Sequence, residues 1–121
     1  MEKAIMIVDD FASLRQVVAI ALKGAGYAVV EACDGKDALT KVDGRKLHLL
    51  ISDVNMPNMD GISFVKAAKQ NPTYKFTPVI MLTTEAGEDK KAIGQAAGAK
   101  AWVIKPFLSA QMLAAVSKLV M

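Results

Sequence analysis

Polar signals stand where apolar runs end. Asp9 and Asp10 follow the run Ala4–Val8, Asp53 follows residues 49–52, and Asn55 lies two residues further on. Thr83 and Thr84 close the run 79–82, and Lys105 with Pro106 closes 102–104. A carboxylate nucleophile and an incoming phosphoryl donor are both anionic and repel at close range. A divalent cation between them lowers that barrier, and Mg²⁺ suits hard oxygen ligands. A Thr83 hydroxyl and a Lys105 ammonium would supply hydrogen bonding and charge where negative charge develops. Taken singly, each signal has a bland reading. An Asp pair caps a helix, Asp53 sits in a turn, Thr83 is a β-branched strand residue, and Lys-Pro ends a strand. Their occurrence at the same end of successive strands joins them, because ligands of open parallel sheets bind outside the carboxyl ends of the strands.

The elements that must position these groups alternate regularly. Ala4–Val8 is continuously apolar, as expected for a strand buried on both faces. Leu14, Val17, Val18, Ala21, Leu22 and Ala25 then recur at helical spacing, with Ser13 as N-cap and Gly26 as the residue that ends the helix. Ala28–Ala32 predicts a second strand. Asp34 and Gly35 turn into a short helix over 36–42, which Asp43 and Gly44 end. A third strand spans 47–52 and a loop 56–61, in which Met56 and Pro57 lend rigidity. Ile62, Val65 and Ala68 give the third helix its inner face, and Asn71, Pro72 and Thr73 stop it. A strand over 78–83, a weak helix over 88–97 with Gly94 inside it, a strand over 100–104 and a helix over 109–120 complete the chain. Strands alternating with helices mean an α/β fold with a parallel sheet and right-handed crossovers. The expected organisation is one domain, residues 1–121, without repeats or linkers.

Composition narrows the function class. The 121 residues are 53% hydrophobic but only 6% aromatic, which calls for a core of aliphatic and Met side chains. Fifteen Lys and Arg against twelve Asp and Glu give a net charge of +3, with no basic run longer than Lys90 and Lys91. That argues against nucleic acid as partner. If the acids gather in one site, the remaining surface is more basic than the total implies, which suits an acidic docking face. Cys33, the single cysteine, excludes a disulfide framework, fits a reducing cytoplasm, and is expected to be a small buried strand residue. The first apolar run is too short for a signal peptide or a membrane span. His48 is expected at a sheet end with a satisfied hydrogen bond.

The motifs Val8-Asp9-Asp10-Phe11, Asp53 to Gly61, Met81 to Ala86, and Lys105-Pro106-Phe107 together resemble the receiver domain of two-component response regulators, over the whole chain. The resemblance implies a flavodoxin-like sheet of order 2-1-3-4-5. It implies that Asp53 is the phosphoacceptor, that Asp10 binds Mg²⁺ directly, and that Asp9 holds metal-bound water. Asn55 would complete the metal shell through its carbonyl, and Thr83 and Lys105 would contact the phosphoryl oxygens. The Lys105–Pro106 bond would be cis. Glu85 falls where similar proteins tune phosphoryl lifetime. Trp102 stands where the family commonly has a Tyr or Phe that swings inward on activation. With the weak fourth helix, the last helix, and Lys90, Lys91 and Lys118, it would form the output surface.

The implied protein is a monomeric, cytoplasmic phosphoacceptor rather than a turnover enzyme. It would catalyse its own phosphorylation and lose the group slowly. Its implied partners are a chemotaxis-type histidine kinase, the flagellar motor switch or another output protein, and a phosphatase. Since the chain ends with the last helix, its signal would be delivered by binding. Two alternatives use the same groups: a Mg²⁺-dependent aspartyl phosphatase or phosphotransferase, and a receiver relaying phosphate in a non-flagellar motility or biofilm pathway. The first is weakened by Asp53-Val54-Asn55 standing where an Asp-x-Asp pair is usual. A dinucleotide- or flavin-binding module is disfavoured because no glycine-rich turn follows the first strand.

Overall fold

The computed structural model describes residues 3–54, 56, 58–83, 99–104 and 109–120. Five strands, β1 (Ala4–Val8), β2 (Ala28–Ala32), β3 (Leu49–Asp53), β4 (Val79–Thr83) and β5 (Ala101–Ile104), form one parallel sheet in the order β2-β1-β3-β4-β5. The described helices are α1 (Ala12–Gly24), α2 (Gly35–Lys41), α3 (Gly61–Lys69) and α4 (Ser109–Leu119). The helix expected over 88–97 lies outside the described residues.

Alternation along the central strands builds two cores. Ile5 and Ile7 of β1, Leu49 and Ile51 of β3, and Ile80 and Leu82 of β4 pack with α1 and α4 through Val18, Leu22, Met112 and Val116. Met6, Val8, Leu50, Val79 and Met81 point the other way and pack with α2 and α3 through Ala38, Phe64, Val65 and Ala68. Helices on both faces explain why these strands read as unbroken apolar runs. Met6, Met81 and Met112 are buried, the gap-filling role expected of a Met-rich core.

Several boundaries differ from the sequence expectation for identifiable reasons. Ser13 does not cap α1; Phe11 occupies that position with no side-chain cap bond, and the helix begins at Ala12. The local acceptor is the Asp9 carboxylate, whose Oδ1 takes the Phe11 N–H at 2.9 Å. The buried stripe of α1 is Val18, Ala19 and Leu22, while Val17 is 54% exposed and Ala25 is also exposed. The helix is rotated from that expectation, and Arg15 lies inward with polar partners. Its Nη1 donates to the Asp9 carbonyl at 2.7 Å and its Nε to Glu31 at 3.2 Å. The end of α1 is as expected: Gly26, at φ +97°, lets the Tyr27 N–H reach the Leu22 carbonyl and its own N–H reach Lys23.

Cys33 is exposed rather than buried, because β2 ends at Ala32 and Cys33 leads into the Asp34 N-cap of α2. Its N–H donates to Asp37 Oδ2. β3 starts at Leu49, not Leu47, and carries Asp53 as its last residue. His48 anchors the start of the sheet as expected: Ala4 N donates to His48 Nδ1 at 3.0 Å, and His48 N to the Ala4 carbonyl at 2.7 Å.

Tyr74, fully buried in the turn before β4, ties that turn to the one before β3. Its hydroxyl donates to the Arg45 carbonyl at 2.7 Å and accepts from Gly44 N at 3.0 Å. Tyr74→Phe keeps the ring but removes both hydrogen bonds. A loss of about 1–3 kcal/mol in urea unfolding is expected, and an unchanged midpoint would show that the hydroxyl contributes nothing.

Candidate functional site

The acids converge. Asp9 lies just past β1, Asp10 follows it, and Asp53 ends β3, the strand paired with β1. One carboxylate oxygen from each lies within 4.8 Å of the others. Asp9 is fully buried, Asp53 is 7% exposed and Asp10 is exposed, so the cluster has a dry floor and one wet side.

Backbone contacts fix this geometry. Asp9 N donates to the Ala32 carbonyl at 3.1 Å, its side chain is held by Phe11 N, and its carbonyl by Arg15. Ser52 Oγ donates to the Asp53 carbonyl at 3.0 Å within the core. Val54 N continues the ladder to the Leu82 carbonyl, and Gly61 N returns to the Val54 carbonyl, both at 2.9 Å. The loop after β3 therefore folds back onto its own strand.

That return requires glycine. A Cβ on Gly61 would lie 1.8 Å from the Asp53 carbonyl oxygen and 2.9 Å from Ser52 Oγ. Gly35 is constrained similarly, since its Cβ would meet Met59 at 2.7 Å. Asn58, at φ 68°, donates through Nδ2 to Asp34 Oδ2 at 2.8 Å, tying the same loop to the start of α2. The Asp37 backbone N–H and then the Asn58 amide hold the Asp34 carboxyl below its ordinary range. Arg15, Asn58 and Gly61 are site-shaping residues that sequence reasoning missed. The Asp60-Gly61 pair was a visible turn signal, but the close approach behind it is tertiary.

The donor set can be tested against a cation. All three groups are hard oxygens, with no histidine or cysteine donor beside them among the described residues, and they carry the like charge that a divalent ion would offset. Asp9, Asp10 and Asp53 therefore fit Mg²⁺. Of the other expected site residues, Thr83 ends β4 opposite Ile104 of β5, two strands from β1. Its side chain lies outside what the structure describes, as do Asn55, Glu85, Lys90, Lys91, Lys105 and the Lys105–Pro106 bond. Trp102 pairs with Met81, packs at the edge of the α2–α3 core, and is partly buried. Its Nε1 is buried with no hydrogen-bond partner among the described residues. Lys118 is exposed on α4.

Residues 5–117 match the model of the response regulator receiver domain, and the chain belongs to that family. The fold agrees closely with the structure of Vibrio cholerae chemotaxis protein CheY4, with TM-score 0.95 and 44% identity over 98% of this chain and 99% of that one. Among curated relatives, Protein PilG of Pseudomonas aeruginosa is 35% identical over 93% of this chain and 83% of its own length. Chemotaxis protein CheY of the same organism is 37% identical over 90% of this chain and 88% of its own. The protein is a CheY-like receiver of two-component signalling. No helix among the described residues is long and apolar enough to cross a membrane.

Gly61→Ala should be severe, because its neighbour is backbone rather than a movable side chain. A loss of at least about 3 kcal/mol in urea unfolding is expected, and a loss below about 1 kcal/mol would show that the loop relaxes freely.

Proposed function

We propose that Asp53 accepts a phosphoryl group from the phosphohistidine of a chemotaxis-type histidine kinase, and that this chain carries the signal to an output protein. The observation that carries the reading is the convergence of Asp9, Asp10 and Asp53. A bound Mg²⁺ would offset the charge of nucleophile and donor as they approach. Asp9, Asp10 and Asp53, with the Asn55 carbonyl, are the residues assigned to hold it.

An Asp53 carboxylate oxygen forms the new bond to phosphorus while the bond from phosphorus to the kinase imidazole nitrogen breaks, and that nitrogen keeps the electron pair. Thr83 donates its hydroxyl to a phosphoryl oxygen, and Lys105 sets its ammonium against another. Glu85 influences how long the phosphoryl group survives. The chain acts stoichiometrically in the cytoplasm rather than as a turnover enzyme. Similarity to chemotaxis proteins supports an output partner in motility, for which we propose the flagellar motor switch. Trp102, Lys90, Lys91, Lys118 and α4 contribute to the surface it reads.

Incubation with a radiolabelled, phosphorylated kinase in Mg²⁺ should label the chain once, and Asp53→Asn or chelation of the metal should abolish the label. A label that persists in Asp53→Asn would overturn the assignment. A multiple-turnover release of phosphate from phosphomonoesters would favour the phosphatase reading instead.

Trp102 is the only tryptophan. Phosphorylation can shift the population only by its differential interaction with the two states. A change in Trp102 emission is expected when beryllofluoride, a phosphoryl mimic, is added to the Mg²⁺-loaded protein. Superimposable spectra would remove Trp102 from the switch.

A further inference from the structure

Charge is unevenly distributed along this chain. None of its twelve acids lies between Asp60 and Glu85, and none follows Asp89. The described ion pairs Arg15–Glu31, Lys41–Asp37 and Arg45–Asp43 all belong to the first half. Lys66, Lys69, Lys75, Lys100 and Lys118 have no carboxylate at ion-pair distance among the described residues. Three of these lysines converge at the N-terminal end of β4. Lys69, from the end of α3, donates through Nζ to the carbonyls of Lys75 and Thr77. Lys100 N donates to the Val79 carbonyl at 2.8 Å, and partial burial first, then the Lys100 charge, holds the Lys69 ammonium below its ordinary range.

Phe76 stands among them, 88% exposed, the most exposed large apolar side chain of the described residues. Lys75 Nζ lies 5.6 Å from its ring centroid. A single exposed phenylalanine on a loose loop would need no explanation. This loop is not loosely tied. Tyr74 fastens it to Gly44 and Arg45, Lys69 fastens it to α3, and Tyr74 N and Thr77 N close consecutive turns onto Asn71 and Tyr74. The backbone holds a large apolar ring in water beside lysines that have no carboxylate partner among the described residues.

We infer that Phe76, with Lys69, Lys75 and Lys100, forms a docking surface for an acidic segment of a partner protein that carries an apolar anchor residue. Charge complementarity selects the acidic segment, and the ring supplies the contact that charge alone would lack. A membrane surface fits less well, because stable adhesion takes a broad apolar helix face or a denser basic cluster than one ring and three lysines. The surface lies one strand length, roughly 16 Å, from the acidic cluster. A partner held here leaves Asp53 open, and the inference does not depend on the function proposed for that residue.

The test is fluorescence anisotropy with a short fluorescein-labelled peptide of glutamates around one phenylalanine, read at low and physiological salt. Binding by the wild type is expected, weakening with salt. Phe76→Ser, and separately the pair Lys75→Glu and Lys100→Glu, should each raise Kd at least about tenfold. Both variants change exposed side chains, and their melting curves and Trp102 emission should match wild type. No binding by the wild type, equal binding by the variants, or equal binding of a peptide with serine in place of the phenylalanine would each overturn the inference. Capture by phosphatidylserine vesicles without peptide binding would replace it with a membrane surface.

Discussion

Three carboxylates of one sign have to be kept within a few ångströms of one another, and the loops at this end of the sheet are arranged around that constraint. Like charges at this range repel, the more so where burial removes water. No single contact overcomes this. Asp9 is held by its backbone N–H, its carbonyl and its carboxylate at once, through Ala32, Arg15 and Phe11. Asp53 is held as the last residue of a fully buried strand, with Ser52 and the returning Gly61 packed on its carbonyl. The strain of assembling like charges is therefore carried by the sheet, and a divalent ion entering the cluster would relieve it.

The sheet can carry that load because it is clamped from both faces. β1, β3 and β4 alternate their side chains between the α1–α4 core and the α2–α3 core, and their central residues are fully buried. Register is then strongly specified, since a slip of one residue would exchange the two sets of apolar contacts. Register in turn sets the site. Val8 pairs with Ser52, so Asp9 and Asp53 leave neighbouring strands at the same level.

This dependence explains which features were legible in the sequence. The strands and their order of appearance could be read because burial on both faces leaves unbroken apolar runs, and the acids could be grouped because they end those runs. The rotation of α1 could not be read. Val17 and Val18 are equally apolar, and the orientation that buries Val18 also brings Arg15 to Asp9 and Glu31, tertiary partners beyond the helix's own pattern. Cys33 was misplaced because a small apolar residue following a strand gives no local sign of where pairing stops. Gly61 was readable as a turn but not as a steric necessity. The atom its Cβ would strike belongs to Asp53, eight positions earlier in the sequence.

Topology also polarises the molecule electrically. In a parallel sheet with crossover helices the starts of α1, α2 and α3 face the carboxyl ends of the strands, where helix dipoles favour anions, and the helix ends face the other pole, where they favour cations. Lys23, Lys41, Lys66, Lys69 and Lys118 all lie in last turns, so the dipoles account for them. Lys75 and Lys100 belong to no helix, and Phe76 carries no charge for a dipole to favour. The fold explains most of its basic pole by its own electrostatics. The part it leaves unexplained is Phe76 with Lys75 and Lys100, and a partner outside the chain gives those residues a physical role.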